Sequence, residues 1–178
     1  DADIVTISHG HSDHNQAQLV KSVKRVISGP GEYEIMGVSI IGIGTFHDDK
    51  KGELRGKNTI YIFESDGLRV AHLGDLGHNL SEEQVEELGD IDILMVPTGG
   101  EYTIGPSQAS LLVQNIEPRM VIPMHYQMPG LNPEGFSKLA PVDAFLKETG
   151  LPTTTSPKLV VKKEELPENQ NVVVLLKK

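Results

Sequence analysis

The chain contains no cysteine and no tryptophan among its 178 residues. Without thiols there can be no disulfide and no thiolate metal ligand, so any metal must sit on imidazole and carboxylate. A disulfide-free chain suits the cytoplasm, the location expected here. With only four Phe and four Tyr, a base-stacking platform for single-stranded nucleic acid is not expected. Positive charge is also scarce. Sixteen Lys and Arg face 25 Asp and Glu, a net charge of −9. That balance lacks the basic footprint of a protein whose main partner is DNA or RNA. It leaves room for a small anionic substrate, because a metal centre brings its own positive charge. No apolar run approaches the ~18 residues of a membrane-spanning helix, so no membrane partner is expected. The length fits one domain, residues 1–178.

Hydrophobic patterning gives interleaved strands and helices. A buried strand is expected over residues 3–8 and a short helix over 15–24, with Leu19 and Val23 on one face. A hairpin should turn at Met36-Gly37 and another at Ser65-Asp66-Gly67. Ser81 followed by Gln84 reads as a capping box, in a helix ended by Gly89. Residues 91–96 form a continuous apolar strand of the kind buried on both faces. A helix follows over 107–116, with Pro106 at its start, then a strand over 120–123 and a helix over 141–148. Residues 151–157 read as a loop. A final strand pair is expected from 159–161 and 172–176. The pattern is mixed α/β, with helices covering sheet.

The chemistry concentrates in Ser8-His9-Gly10-His11-Ser12-Asp13-His14. Four candidate ligands fall within six residues, just after a strand. A loop leaving a strand can turn successive side chains toward one point. His9 and His11, two apart, can share one ion, while Asp13 and His14 reach a second beside it. A solvated loop would have no reason to cluster three imidazoles and a carboxylate. His47, Asp75 and His125 each follow an apolar strand, as ligands gathered at one edge of a sheet should. Several neighbours are weaker candidates. His78 could face the pocket, His72 reads as a hydrogen-bonded core residue, and Asp48 could orient the His47 ring or be solvated. Arg55 and Lys57 could meet an anionic substrate. Glu101, Tyr102, Thr103 and Tyr126 could line the pocket.

The segments SHGHSDH, TFHDD, HLGDLGH, PTGGEYTIGP and IPMHY span residues 3–126, and together they resemble the metallo-β-lactamase superfamily. Within it they resemble the branch of ascorbate-phosphate lactonase-like hydrolases. The resemblance implies an αββα four-layer sandwich with a dinuclear metal site along one edge. It puts His9, His11 and His47 on a first ion and Asp13, His14 and His125 on a second, with Asp75 bridging. Diiron oxygen-reducing relatives carry Glu where His11 stands, which favours hydrolysis here. Two divalent ions are implied, Zn foremost, with Mn or Fe as alternatives. Such ions share a water and lower its pKa from 15.7 toward about 7. The bridged hydroxide would attack a small ester, lactone or phosphoester, and Asp13 would shuttle a proton to the leaving group. A nuclease of the same fold and a non-catalytic metal-binding module are the alternatives.

Relatives of this kind carry several strands before the His-rich loop, one ending in an Asp that supports it. Here Asp1 stands two residues before the strand that delivers His9. The expectation is an N-terminally incomplete domain, or one completed by another segment or a second copy. An edge near residues 3–8, or in the hairpin at 38–43, should then be open or paired with a neighbour.

Overall fold

The computed structural model describes residues 1–176. Its ten strands are β1 (Ile4–Ile7), β2 (Arg25–Ser28), β3 (Gly31–Ile35), β4 (Val38–Phe46), β5 (Lys57–Ser65), β6 (Leu68–His72), β7 (Ile93–Pro97), β8 (Met120–Met124), β9 (Thr153–Ser156) and β10 (Asn171–Leu175). The α-helices are α1 (Glu82–Leu88), α2 (Pro106–Ile116), α3 (Pro133–Phe136) and α4 (Val142–Thr149). None is long and apolar enough to cross a membrane among the described residues.

Eight strands form one sheet in the order β3-β4-β5-β6-β7-β8-β10-β9. β3 to β6 are antiparallel. β3–β4 and β5–β6 are joined by tight turns whose central residues, Met36-Gly37 and Asp66-Gly67, all have positive φ, and residues 47–56 form the longer loop between β4 and β5. Such turns match the twist of the strands they connect. From β6 onward the pairing is parallel, because α1 and α2 carry the chain back between strands. α1 begins and ends on the expected residues. Ser81 Oγ accepts the Gln84 N–H and Gln84 Oε1 accepts the Ser81 N–H, and Gly89 closes α1 at φ 64°.

Side-chain alternation gives the sheet two apolar faces. On one face Ile60, Ile62, Leu94, Val96 and Val121 pack with Leu112 and Val113 of α2 and Phe145 of α4. On the other face Ile93, Met120, Ile122 and Val173 lie under Leu159, Val161 and Leu166. Ile40 and Tyr61 meet Ile27 of the small sheet at the opposite end of that face. The architecture is mixed α/β, a large sheet with helices, as expected. The second sheet consists of β1 and β2, parallel to each other.

Three expectations need correction. Residues 15–24 form only a single 3-10 turn, Ala17–Leu19. Leu19 is 74% exposed, so the apolar spacing that suggests a helix meets no surface to pack on. Residues 153–156, expected in a loop, are the edge strand β9: Thr-rich, exposed and held by parallel pairing to β10. The segment 159–161 lies over the sheet rather than in it. Of the two places where an open edge is expected, the hairpin at 38–43 has β4 paired on both sides, while its other strand, β3, is the edge of the large sheet with β4 as its one neighbour among the described residues. β1 has β2 as its one neighbour among the described residues.

Candidate metal centre

The topology brings the site together. β4 and β6 run in the same direction, since each is antiparallel to β5, and β7 and β8 continue parallel to β6. The C-terminal ends of β4, β6 and β8 therefore share one edge. They deliver His47, Asp75 and His125. The His-rich loop arrives from β1 and is tied to the same edge by the Thr59 N–H, which donates to the Ser8 carbonyl at 2.7 Å. Tyr61 adds a buried anchor: its hydroxyl donates to the Ile7 carbonyl at 3.1 Å and accepts the Gly29 N–H at 2.9 Å. β1 and β2 are thus pinned to the large sheet.

Asp75 Oδ2 is the hub. His47 Nε2 lies 3.2 Å from it, His9 Nε2 3.6 Å, His125 Nε2 3.7 Å and His14 Nε2 3.9 Å. His11 completes the cluster, its ring centroid 5.0 Å from His9 and 4.9 Å from His47. Among the described residues, two groups have ligand atoms close enough to hold an ion: His9, His11 and His47, and His9, His14 and Asp75. Asp13 stands at the rim, exposed, with Oδ2 3.6 Å from His14 Nε2. His9, His47 and Asp75 are buried, whereas His11 and His14 face solvent.

These groups fit a cation. Buried in the cluster, His9 Nε2 has no hydrogen-bond partner, a costly state for a polar atom unless something else binds it. Its other nitrogen, Nδ1, is in contact with Ser8 Oγ at 3.0 Å. Burial drives the His9 pKa down to about 4, and His14, His47 and His11 add to the effect against the pull of Asp75. The ring is therefore neutral at pH 7, the ligating form. Burial alone would push the Asp75 carboxyl up. A hydrogen bond from His47 and the neighbouring imidazoles of His125, His14 and His9 outweigh it and hold the pKa at about 2.

A cavity of about 370 Å³ opens over the hub, lined by His11, Asp13, His14, His47, Asp75 and His125, with Arg55, Tyr102, Gly135 and Phe136 as its outer wall. Of the weaker candidates, Arg55 and Tyr102 reach it. Lys57 lines a separate cleft behind the His-rich loop, Glu101 faces Lys138 at 3.6 Å, and Thr103 and Tyr126 lie outside the lining. His78 props the end of β4 instead. Its Nε2 accepts the Phe46 N–H at 3.2 Å while Nδ1 donates to the Asn79 carbonyl at 2.8 Å, which fixes the neutral tautomer. Asp48 neither orients His47 nor lies in solvent. It is buried and accepts four backbone N–H groups, from Lys50, Gly52, Leu54 and Arg55, so it folds the loop that carries Arg55.

Several supports carry little sequence signal. Asn58 ties the ends of three strands together. Its amide donates to Thr45 Oγ1 at 2.8 Å and to the Leu73 carbonyl at 3.0 Å, and its Oδ1 accepts the Asp75 N–H at 3.0 Å. At Gly77 and Gly99 the backbone runs against the candidate ligand residues His47 and His125. A Cβ there would fall within hard contact of the His47 carbonyl carbon and the His125 carbonyl oxygen.

A sheet edge that gathers imidazoles around one carboxylate defines a class, and comparison with known proteins agrees. The family model of the β-lactamase superfamily domain matches residues 1–125. A UPF0173 metal-dependent hydrolase of Thermococcus onnurineus is 32% identical over 168 residues, spanning 78% of this chain and 75% of the relative. A crystal structure of a Thermotoga maritima protein assigned as a Zn-dependent hydrolase of the metallo-β-lactamase superfamily shares 42% identity. It aligns with a TM-score of 0.77 over 98% of this chain and 81% of that one. A Parabacteroides distasonis protein, 21% identical with a TM-score of 0.63, shares the fold. The chain belongs to the metallo-β-lactamase superfamily. Within it, the family is that of the UPF0173 metal-dependent hydrolases.

Proposed function

We propose that this metal-dependent hydrolase works with two divalent ions, Zn foremost with Mn or Fe as alternatives, and cleaves a small ester, lactone or phosphoester. The observation that supports it is the hub: one carboxylate oxygen, Asp75 Oδ2, within 3.9 Å of the Nε2 atoms of four histidines. A carboxylate so placed suits a bridge between two ions. His9, His11 and His47 would hold one and His14, His125 and Asp13 the other. When bound, ions of this kind acidify water and polarise the bond under attack.

The chain's own groups supply the rest. Neutral His9 and ionised Asp75 are already in their ligating forms at pH 7, so binding there displaces no proton from either. Asp13, on the cavity rim, is placed to pass a proton to the departing oxygen. Tyr102 and Phe136 form an apolar wall that holds a small substrate and limits its size. The ascorbate-phosphate lactonase-like branch remains part of this reading, supported by the SHGHSDH and HLGDLGH motifs. A cytoplasmic setting is supported by the absence of cysteine.

Metal analysis of protein purified without chelator, followed by turnover of a panel of lactones, aryl esters and phosphodiesters, tests the proposal. About two ions per chain and turnover of one substrate class are expected. Protein that holds no metal under replete conditions would defeat the reading, and metal without turnover would leave a binding module.

A further inference from the structure

Arg55 is set apart from the other arginines. The chain has four, Arg25, Arg55, Arg69 and Arg119. Arg25 donates to the Lys24 carbonyl, Arg69 to the Leu88 carbonyl and Arg119 to the Glu168 carbonyl. Arg69 also pairs with Glu64. The guanidinium of Arg55 has no hydrogen-bond acceptor and no carboxylate partner among the described residues. Yet it is half-buried, and among the described residues it is the one Arg or Lys that lines the cavity over the candidate metal centre.

It is also held in place. Asp48 Oδ2 accepts the Arg55 N–H at 2.7 Å, and the next residue, Gly56, accepts the His47 N–H at 3.0 Å. These two bonds link the backbone of Arg55 and Gly56 to the candidate ligand His47 and its neighbour Asp48. The guanidinium carbon sits 5.4 Å from the centre of the Tyr102 ring, within the range of a cation–π contact. Tyr102 in turn donates its hydroxyl to the Gly135 carbonyl at 2.6 Å, so the ring is a fixed floor. A guanidinium ordered by stacking, with its N–H fork unspent, is pre-organised for a planar or tetrahedral oxyanion. The other charges on the cavity wall, Asp13 and Asp75, are anionic and belong to the candidate metal site, so they do not compete for this position.

We propose that Arg55 is the anion subsite of the enzyme: the substrate carries a second oxyanion, carboxylate or phosphate, apart from the bond that is cleaved. This rests on the hydrolytic reading of the neighbouring cluster. It narrows the substrate to a small organic acid that fits about 370 Å³, with its hydrolysable group at the hub and its charge on the Arg55 fork.

Product-like probes test it. Calorimetric titrations of metal-loaded protein compare butyrate, with one carboxylate, against glutarate and 4-phosphonobutyrate, which add a second carboxylate or a phosphonate. The wild-type protein should bind at least one of the two-headed acids roughly tenfold more tightly than butyrate, the effect of one added charge-assisted contact. Arg55→Leu should erase that preference and Arg55→Lys should keep part of it, with metal content unchanged in both. Whichever two-headed acid shows the larger loss identifies the anion. A preference that survives Arg55→Leu, or no preference in the wild type, would overturn the proposal and leave Arg55 as a brace for Tyr102. The Arg55 Nε–H resonance, followed in metal-free wild-type protein during glutarate titration, gives a separate reading. It should shift. If it shifts while metal binding or turnover fails, the hydrolytic reading falls and the anion site stands. If Arg55→Leu does not fold, this resonance and Arg55→Lys decide, and an unmoved resonance with an unchanged Arg55→Lys preference overturns the subsite.

Discussion

The side chain of Asn58 holds the backbone of Asp75 from inside the core: Oδ1 accepts the Asp75 N–H at 3.0 Å. The same amide reaches Thr45 and the Leu73 carbonyl. β5 therefore fixes the loop of the hub carboxylate and the end of the strand that delivers His47. With Asn58 only 1% exposed, water cannot replace these bonds. Asn58→Ala should cost roughly 2–4 kcal/mol, since it strands several buried partners at about 1–3 kcal/mol each. Metal stoichiometry should fall with stability. Urea unfolding and metal analysis check both, and a variant that keeps its full metal load would show that Asp75 holds its place without the amide.

Gly77 lies where two backbones touch. Its N–H donates to the Phe46 carbonyl at 3.0 Å, and an added Cβ would clash with the His47 backbone. Backbone cannot swing aside as a flexible side chain can. Gly77→Ala should therefore displace His47 and destabilise the fold by about 1–3 kcal/mol, the usual cost of overpacking. Gly10→Ala is the matched control, because nothing lies within 4 Å of a Cβ there. Equal metal content in the two variants would contradict the close-contact argument.

These supports explain what could be read in the sequence. The His-rich loop and the residues after β4, β6 and β8 are legible as candidate ligands from residue type and position at strand ends, and the structure brings them together. The turns at Met36-Gly37 and Asp66-Gly67 and the capping box at Ser81 were legible because local chemistry decides them. Asn58 was not, since its role depends on which strands become neighbours. Phe136 reaches the cavity from a distant segment with no motif of its own. The apolar spacing of Leu19 and Val23 predicted a helix, but spacing describes a face and not whether anything covers it. At 153–156 the polar run hid a strand, because an edge strand paired on one side needs few apolar residues.

His72 and His125 offer a direct comparison. His72 Nδ1 accepts the Gly74 N–H at 3.1 Å, a local bond that shapes the turn before Asp75. His125 faces the cavity, its Nε2 3.7 Å from Asp75 Oδ2, and it is held at φ 50°, a conformation unusual for a side chain other than glycine. His72→Asn should retain the metal complement, the amide oxygen accepting in place of Nδ1. On the proposed two-ion reading, His125→Asn should lower it from about two ions to about one, as a two-metal site would on losing a ligand to one ion. Elemental analysis of both variants separates the roles, and matching losses would mean that the histidines are not distinguished as argued.

Asp48 makes the last prediction, on pH. Burial would raise its carboxyl, but the N–H groups of Arg55, Gly52, Lys50 and Leu54 outweigh that and lower its pKa from 3.8 to about 2. A carboxyl whose folded pKa lies below its unfolded value stabilises the fold fully above the unfolded value. That contribution is lost as pH falls through the folded one. The wild-type protein should therefore hold a stability advantage over Asp48→Asn that is constant from neutral pH down to about 4 and shrinks toward about pH 2. Asparagine offers one acceptor oxygen where the carboxylate offers two, and its NH2 would face N–H donors. The damage should stay local to the loop that carries Arg55. Amide exchange of Lys50, Gly52, Leu54 and Arg55 should accelerate in Asp48→Asn at pH 7, while exchange in β7 and β8 stays slow. Urea titrations of metal-free protein at pH 7, 4 and 3 measure the stability gap without ligand protonation acting through bound metal. A gap that does not narrow with acid would show that the carboxylate charge is not what holds this loop.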